Sequence, residues 1–191
     1  RLQFFMAHIQ IIIGSTRPAR SGAAIGDWLI KELNNNKHGL SFEKLDLAQI
    51  NLPILDEPLP ASSGQYSHKH SKEWVAKIAK ADGYIWVTPE YNHGPSAALK
   101  NAIDYVYAEW VHKPVAFVGY GGMGGTRAIE QLVNIASQLN MAPLTARLHV
   151  MDPWASVKDG VLDESYVKGN VDSFVNELAW WTNALAKARK G

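Results

Sequence analysis

Apolar β-branched runs and amphipathic stretches alternate along this chain five times. Ala7 to Ile13 reads as a buried parallel strand, and a helix follows from about Ser21 to Asn34 with Ile25, Leu29 and Leu33 on one face. The run Asn34-Asn35-Asn36 ends that helix. Leu40 to Leu47 alternates polar and apolar residues as an edge strand would, and Asn51 to Gly64 is a proline-rich loop that no regular element can cross. A helix from about Ser67 to Lys80 leads into the strand Gly83 to Thr88. The segment Pro89-Glu-Tyr-Asn-His-Gly-Pro95 separates that strand from a helix over about Ser96 to Glu109. Lys113-Pro114 opens a fourth strand, V-A-F-V, which runs into Gly119-Tyr-Gly-Gly-Met-Gly-Gly125 and an amphipathic helix carrying Ile129, Leu132, Val133 and Leu139. Pro143 to Val150 supplies a fifth strand. Glu164 to Lys187 reads as a long helix with Val167, Val171, Phe174, Leu178, Trp181 and Leu185 on one stripe. Five βα units without an internal repeat predict an α/β fold, a doubly wound parallel sheet with helices on both faces, in which ligands bind outside the carboxyl ends of the strands.

In such a sheet the loops after strands one, three and four open on the same rim, so Gly14–Gly22, Pro89–Gly94 and Gly119–Gly125 can line one crevice. The first ends at a helix N-terminus, whose unpaired N–H groups and positive dipole attract anions. Ser15, Thr16, Arg17, Arg20 and Ser21 add hydroxyl donors and charge to that spot. Two arginines beside three hydroxyls exceed what capping a helix needs, which favours a phosphate over a plain βα turn. The second loop offers a rigid turn and an aromatic ring. The third offers bare backbone N–H groups beside Tyr120, suited to a planar edge that takes on negative charge. Phosphate, plane and polar edge together describe flavin mononucleotide (FMN).

At 191 residues with a formal net charge of +1 and no basic run, the chain suits a single domain, 6–191, whose partner is a small molecule, with no call for nucleic acid or membrane. Arg1 to Phe5, ahead of Met6, could be a cloning remnant. No cysteine is present, so thiol chemistry is excluded, any redox chemistry must come from a bound cofactor, and a reducing cytoplasm is compatible. No apolar run approaches ~18 residues, and no signal-peptide pattern opens the chain.

Rival motifs are weak. Gly119-x-Gly121-x-x-Gly124 matches the dinucleotide fingerprint, but it follows the fourth strand and no acidic residue lies about twenty positions on. The first loop lacks G-K-[ST], there is no G-x-S-x-G elbow, and the seven histidines form no metal-ligand pattern. No metal is expected. His93, in the crevice, and Asp56, in the long loop beside Glu57, are the substrate-side candidates, against the plainer readings of a turn residue and a solvated acid.

The segments G-S-T-R-P-A-R-S-G, P-E-Y-N-H-G-P-S-A-A-L-K-N-A-I-D-Y and G-Y-G-G-M-G-G-T-R-A resemble the NADPH-dependent FMN reductase family, a flavodoxin-like group that includes quinone, azo-dye and chromate reductases. The resemblance implies a five-stranded sheet of order 2-1-3-4-5. It puts the FMN phosphate on Ser15, Arg17 and the segment Arg20, Ser21, Gly22 and Ala23, with Thr16 alongside. The isoalloxazine falls on Pro89, Glu90, Tyr91 and Asn92, and its pyrimidine edge on Tyr120, Gly121 and Gly122. Many members read G-S-x-R-x-x-S-x-N at the first loop. The variant here leaves open which of Arg20, Ser21 and Gly22 meets phosphate. By the same resemblance, NADPH or NADH passes hydride to the flavin and an acceptor then takes the electrons: a quinone, an azo dye, a metal oxyanion or free flavin. The protein needs no acid or base of its own for this, so no catalytic side chain is singled out. A homodimer or homotetramer is implied, and a second subunit over the flavin would account for Trp110 and Trp154. A flavodoxin-like electron carrier and a redox-sensing, partner-binding protein share the scaffold. Such carriers resemble one another in strong acidity and a Thr/Ser-rich phosphate loop, and this chain has neither.

Overall fold

The computed structural model describes residues 6–35 and 38–190, so the Arg1–Phe5 extension and Asn36 lie outside the described residues. Strand β1 (Ala7–Ile13) is followed by α1 (Gly22–Asn35), β2 (Leu40–Asp46) and the single turn α2 (Leu47–Ile50). The long loop, with a 3-10 turn at Ala61–Ser63, leads to α3 (Lys69–Ile78), β3 (Gly83–Pro89) and α4 (Ala97–Asp104). Then come β4 (Pro114–Gly121), α5 (Thr126–Gln138), β5 (Ala142–Met151) and the short α6 (Pro153–Ser156). A small hairpin, β6 (Val157–Lys158) and β7 (Val161–Leu162), precedes β8 (Val167–Lys168) and α7 (Val171–Lys190).

The sheet runs β2-β1-β3-β4-β5-β8. The first five strands are parallel in the expected order, β2 lies at the rim as its alternation suggests, and β8 adds a short antiparallel sixth strand on β5. Because strand side chains alternate, Ile9, Ile11 and Ile13 face one way and Ile12 the other, and each face buries its own cluster. One cluster packs Ile25, Leu29 and Leu33 of α1 with Phe174, Val175 and Leu178 of α7. The other packs Trp74, Leu99, Ile103, Ile129 and Leu132 from α3, α4 and α5. Winding reverses between β1 and β3, so the switch crevice opens above the ends of those strands and β4.

Two helices depart from the sequence expectation. The final helix starts at Val171, because Val167 and Lys168 pair with Val150 and His149 as β8. Gly169 between them adopts φ +108, and a Cβ there would lie 2.6 Å from the Arg147 carbonyl. Val167 therefore belongs to the sheet, not to the helical stripe. Helix α4 ends at Asp104, not near Glu109. The Trp74 and Trp110 indoles donate to the carbonyls of Ala102 and Ile103 at 2.9 and 3.2 Å, replacing the backbone donors that would have continued the helix. Trp110 is fully buried in edge contacts with Tyr84 and Trp86, so it is core and roofs nothing.

Candidate functional site

The first loop leaves β1 pinned to the sheet. The Gly14 N–H donates to the Val87 carbonyl at 2.8 Å, and the buried Ser96 hydroxyl, which also caps α4, donates to the Gly14 carbonyl. Ser15 is buried and shares a 2.8 Å hydrogen bond with the Tyr91 hydroxyl, which ties the first loop to the second. The first bond of α1 runs from the Ile25 N–H to the Ser21 carbonyl, so the N–H groups of Gly22, Ala23 and Ala24 have no partner within the helix. The side chain of Arg17 is exposed and makes no ion pair or hydrogen bond among the described residues. Arg20 behaves differently. Its Nη2 pairs with Asp46 at 2.5 Å while its Nε is buried without a partner. Asp46 in turn caps α2 through the Ala48 N–H.

The second loop is a two-residue hairpin. Tyr91 and Gly94 exchange backbone bonds of 2.9 and 3.0 Å around Asn92 and His93, whose φ values of 50° and 67° make a type I′ turn. Glu90 is nearly buried and faces α5, where its carboxylate accepts the Arg127 N–H at 3.0 Å and pairs with the Arg127 guanidinium. An acid at that helix start is satisfied by the unpaired N–H and the dipole, so Glu90 couples the second loop to the third. The third loop closes tightly on itself. Gly125 sits at φ +71, and a Cβ there would fall 2.5 Å from the Tyr120 nitrogen, so only glycine fits. His149 of β5 braces the loop, its Nδ1 lying 2.8 Å from the Gly124 carbonyl.

These loops meet around a cavity of about 320 Å³ that Ser15, Arg17, Arg20, Ser21, Pro89, Glu90, Tyr91, Tyr120 and Gly121 line together with Pro153 and Trp154. Nine of the predicted cofactor positions thus converge. Gly22 stands immediately behind them, since a Cβ on it would lie 2.5 Å from the Tyr120 hydroxyl. Gly122 is exposed beside the Trp154 ring, and Ala23 borders an adjoining cleft along α1. Thr16 faces away, into a separate cleft with Leu47, Asn51 and Ala97. Asn92 and His93 occupy the exposed hairpin tip outside the cavity lining, and the His93 carbonyl accepts from Gln131 at 2.7 Å. Asp56 is also outside that lining. It binds His70 at 2.9 Å and the Tyr105 hydroxyl at 3.0 Å, and the His70 bond holds its carboxyl below the usual range.

Sequence reasoning missed Pro153 and brought in Trp154 only as surface for a second subunit, not as a residue of the cavity lining. A Pro-Trp pair directly after the fifth strand carried the signal, since that loop opens on the same rim as the other three.

Among the described residues, two buried polar atoms on the cavity wall lack a hydrogen bond of good geometry: the Tyr120 hydroxyl, whose nearest polar neighbour is Ser15, and the Arg20 Nε. Burial pushes the Tyr120 phenol well above its ordinary pKa, so it stays a donor throughout the physiological range. A phosphate on the free α1 N–H groups and Arg17, with a flat ring among Pro89, Tyr91 and Tyr120, would use the unmet donors. The residues present therefore fit FMN. Among the described residues, no group of histidines and carboxylates could hold a metal ion.

The profile of a family described as NADPH-dependent FMN reductase matches residues 7–154. An NAD(P)H-dependent FMN reductase of Nectria sp is 40% identical over 174 residues, covering 85% of this chain and 87% of the relative. An NADPH azoreductase of a Bacillus species is 32% identical over 140 residues, covering 70% and 77%. Among solved structures, the flavoenzyme NAD(P)H:(acceptor) oxidoreductase FerB of Paracoccus denitrificans superposes with a TM-score of 0.69 at 22% identity, over 93% of this chain and 98% of that one.

Proposed function

The chain belongs to the NADPH-dependent FMN reductase family and is an FMN-dependent oxidoreductase fed by a reduced nicotinamide nucleotide, and on that premise we propose that the cavity above β1, β3 and β4 is its flavin site and that quinones are its principal acceptors. Azo dyes, metal oxyanions and free flavin belong to the same accepting class. The observation that carries the reading is the convergence of three separate loops on one cavity whose wall keeps a buried tyrosine hydroxyl without a hydrogen bond of good geometry.

Arg17 and the N–H groups of Gly22 and Ala23 hold the phosphate in this reading, and Tyr120 donates its free hydroxyl to the cofactor. Pro89 and Tyr91 support the ring. Gly121 and Gly122 present N–H groups to its pyrimidine edge, where negative charge collects on reduction. Bound FMN supplies the hydride chemistry itself. The protein positions the ring, keeps water from its buried side and leaves the outer side open to donor and acceptor in turn. Arg20, anchored on Asp46, shapes the phosphate loop. His93 and Asp56, both outside the cavity lining, are weaker as substrate contacts than the residues lining its mouth.

We read the chain as a single domain over 6–191, acting as a homo-oligomer. Ile54, Leu55 and Leu59, exposed together on the long loop, support self-association, which light scattering would measure. Among the described residues, no helix is long and apolar enough to cross a membrane, and the cysteine-free sequence fits a cytoplasmic setting.

The test is the visible spectrum of the purified protein, release and phosphate assay of its pigment, and turnover of NADPH or NADH with a quinone. Arg17→Ala is expected to weaken FMN binding about 10- to 100-fold, the worth of a charge-assisted phosphate contact, with riboflavin binding unchanged. Equal losses for both ligands would remove Arg17 from the phosphate, and colourless protein that takes up no flavin would remove the site.

A further inference from the structure

The chain turns sharply where it leaves β5. Asp152 takes the left-handed conformation at φ 44°, and its carbonyl accepts from the N–H groups of Ala155 and Ser156 at 3.0 and 2.9 Å. That small platform is tied to both neighbouring walls. The Asp152 N–H donates to the Gly121 carbonyl at 3.3 Å, and the Ser21 hydroxyl donates to the Pro153 carbonyl at 3.3 Å. Pro153 and Ser156 are buried beneath it. What the platform presents is Trp154, whose side chain is 74% exposed.

A large aromatic ring on a fixed mount in solvent forgoes most of the burial that normally stabilises it, so folding does not explain it. Its surroundings do. The indole stands over Gly122, where an added Cβ would lie 4.0 Å from its Cζ3. It also forms the wall between the flavin cavity, of about 320 Å³, and a second cleft of about 490 Å³ that runs along α1 past Ala23 and Asp27. The indole therefore lies where the two clefts adjoin, exposed to solvent and to a ring resting at their mouth.

We propose that Trp154 determines acceptor specificity: its indole stacks on the ring of a planar acceptor at the outer side of the flavin site, and the second cleft receives the acceptor's substituents. The assignment rests on the flavin-site reading above. Ring stacking of this kind is worth about three- to ten-fold in binding. It acts only on flat, π-bearing acceptors and leaves a compact complex ion such as ferricyanide without a surface to prefer.

The test compares the wild type, Trp154→Ala and Trp154→Phe, each loaded with FMN, at saturating NADPH. The measured quantity is the ratio of kcat/KM for a naphthoquinone to kcat/KM for ferricyanide. Trp154→Ala is expected to lower that ratio about three- to ten-fold through KM, and Trp154→Phe to restore most of it. An unchanged ratio at equal flavin content would overturn the role of Trp154 and leave the site standing. Loss of FMN in Trp154→Ala would make the indole a wall for the cofactor, and a changed oligomeric state would make it an interface residue; either overturns the proposal. A wild type that binds no flavin would overturn the site and this assignment together.

Discussion

Tyr120 concentrates the residue-scale argument. Its ring is packed in the core beneath α1, yet its hydroxyl reaches the cavity wall without a hydrogen bond of good geometry, and Gly22 is the residue whose missing side chain makes room for it. A buried hydroxyl left unpaired costs about 1–3 kcal/mol, so it destabilises the flavin-free protein. Tyr120→Phe is therefore expected to leave the melting temperature of the flavin-free protein unchanged or slightly raised, while FMN affinity falls about three- to ten-fold. Thermal melts and flavin-fluorescence titration read the two effects separately. A variant that melts lower and binds FMN as tightly would show that the hydroxyl serves the fold. Residue types told in advance which loops would line the cavity, because serines, arginines and glycines gather at the ends of those strands. What they could not tell was commitment. Glu90 and Arg20 read as ligand groups, but each answers to a charged partner, Arg127 or Asp46, that is distant in sequence.

At the scale of elements, α3 is held by the acid that follows Asp56 in the long loop. Glu57 accepts the N–H groups of Ser67 and His68 at 2.8 and 3.0 Å, closing the long loop onto the start of the helix. Desolvation alone would raise its pKa, but the nearby Ser71 hydroxyl and those two N–H groups outweigh it and bring the carboxyl down to about 2. Because the folded value lies below the unfolded one, the contribution is complete above about pH 4.5 and disappears as pH falls towards about 2. The amide resonances of Ser67 and His68 should shift through that window, and Glu57→Gln should abolish the shift. The five parallel strands were legible to within three residues at either end, since their apolar runs are bounded by glycine and proline, whereas the two-residue strands β6, β7 and β8 were not. The helices were less legible than the long strands. Gly169 inside the last periodic run marked its true start, whereas the early end of α4 depends on indole donors from Trp74 and Trp110, one of them on another element.

For the whole molecule, the two ends of the sheet do different work. Lys113, just before β4, is buried at the end opposite the cavity, its Nζ 3.2 Å from the Tyr84 hydroxyl. Burial and the nearby Arg189 lower its pKa from 10.5 to about 8. Above about pH 8 the unfolded chain still holds a proton at this lysine that the folded protein has released, so stability rises with pH between about 8 and 10. The rise should be about 1–2 kcal/mol in urea unfolding. Lys113→Met should remove it without touching FMN affinity, since β4 separates the two ends by about 25 Å. The short strand β8 affects the far end in another way. It lies antiparallel over the last residues of β5, where the His149 and Val150 backbones would otherwise give a foreign strand something to pair with. At the opposite rim, β2 carries Glu43 and Lys44, charges of the kind that discourage such pairing. Growth by strand addition, the first step towards fibres, is thus hindered at the end of β5 that lies beside the cavity, where small molecules must have clear access.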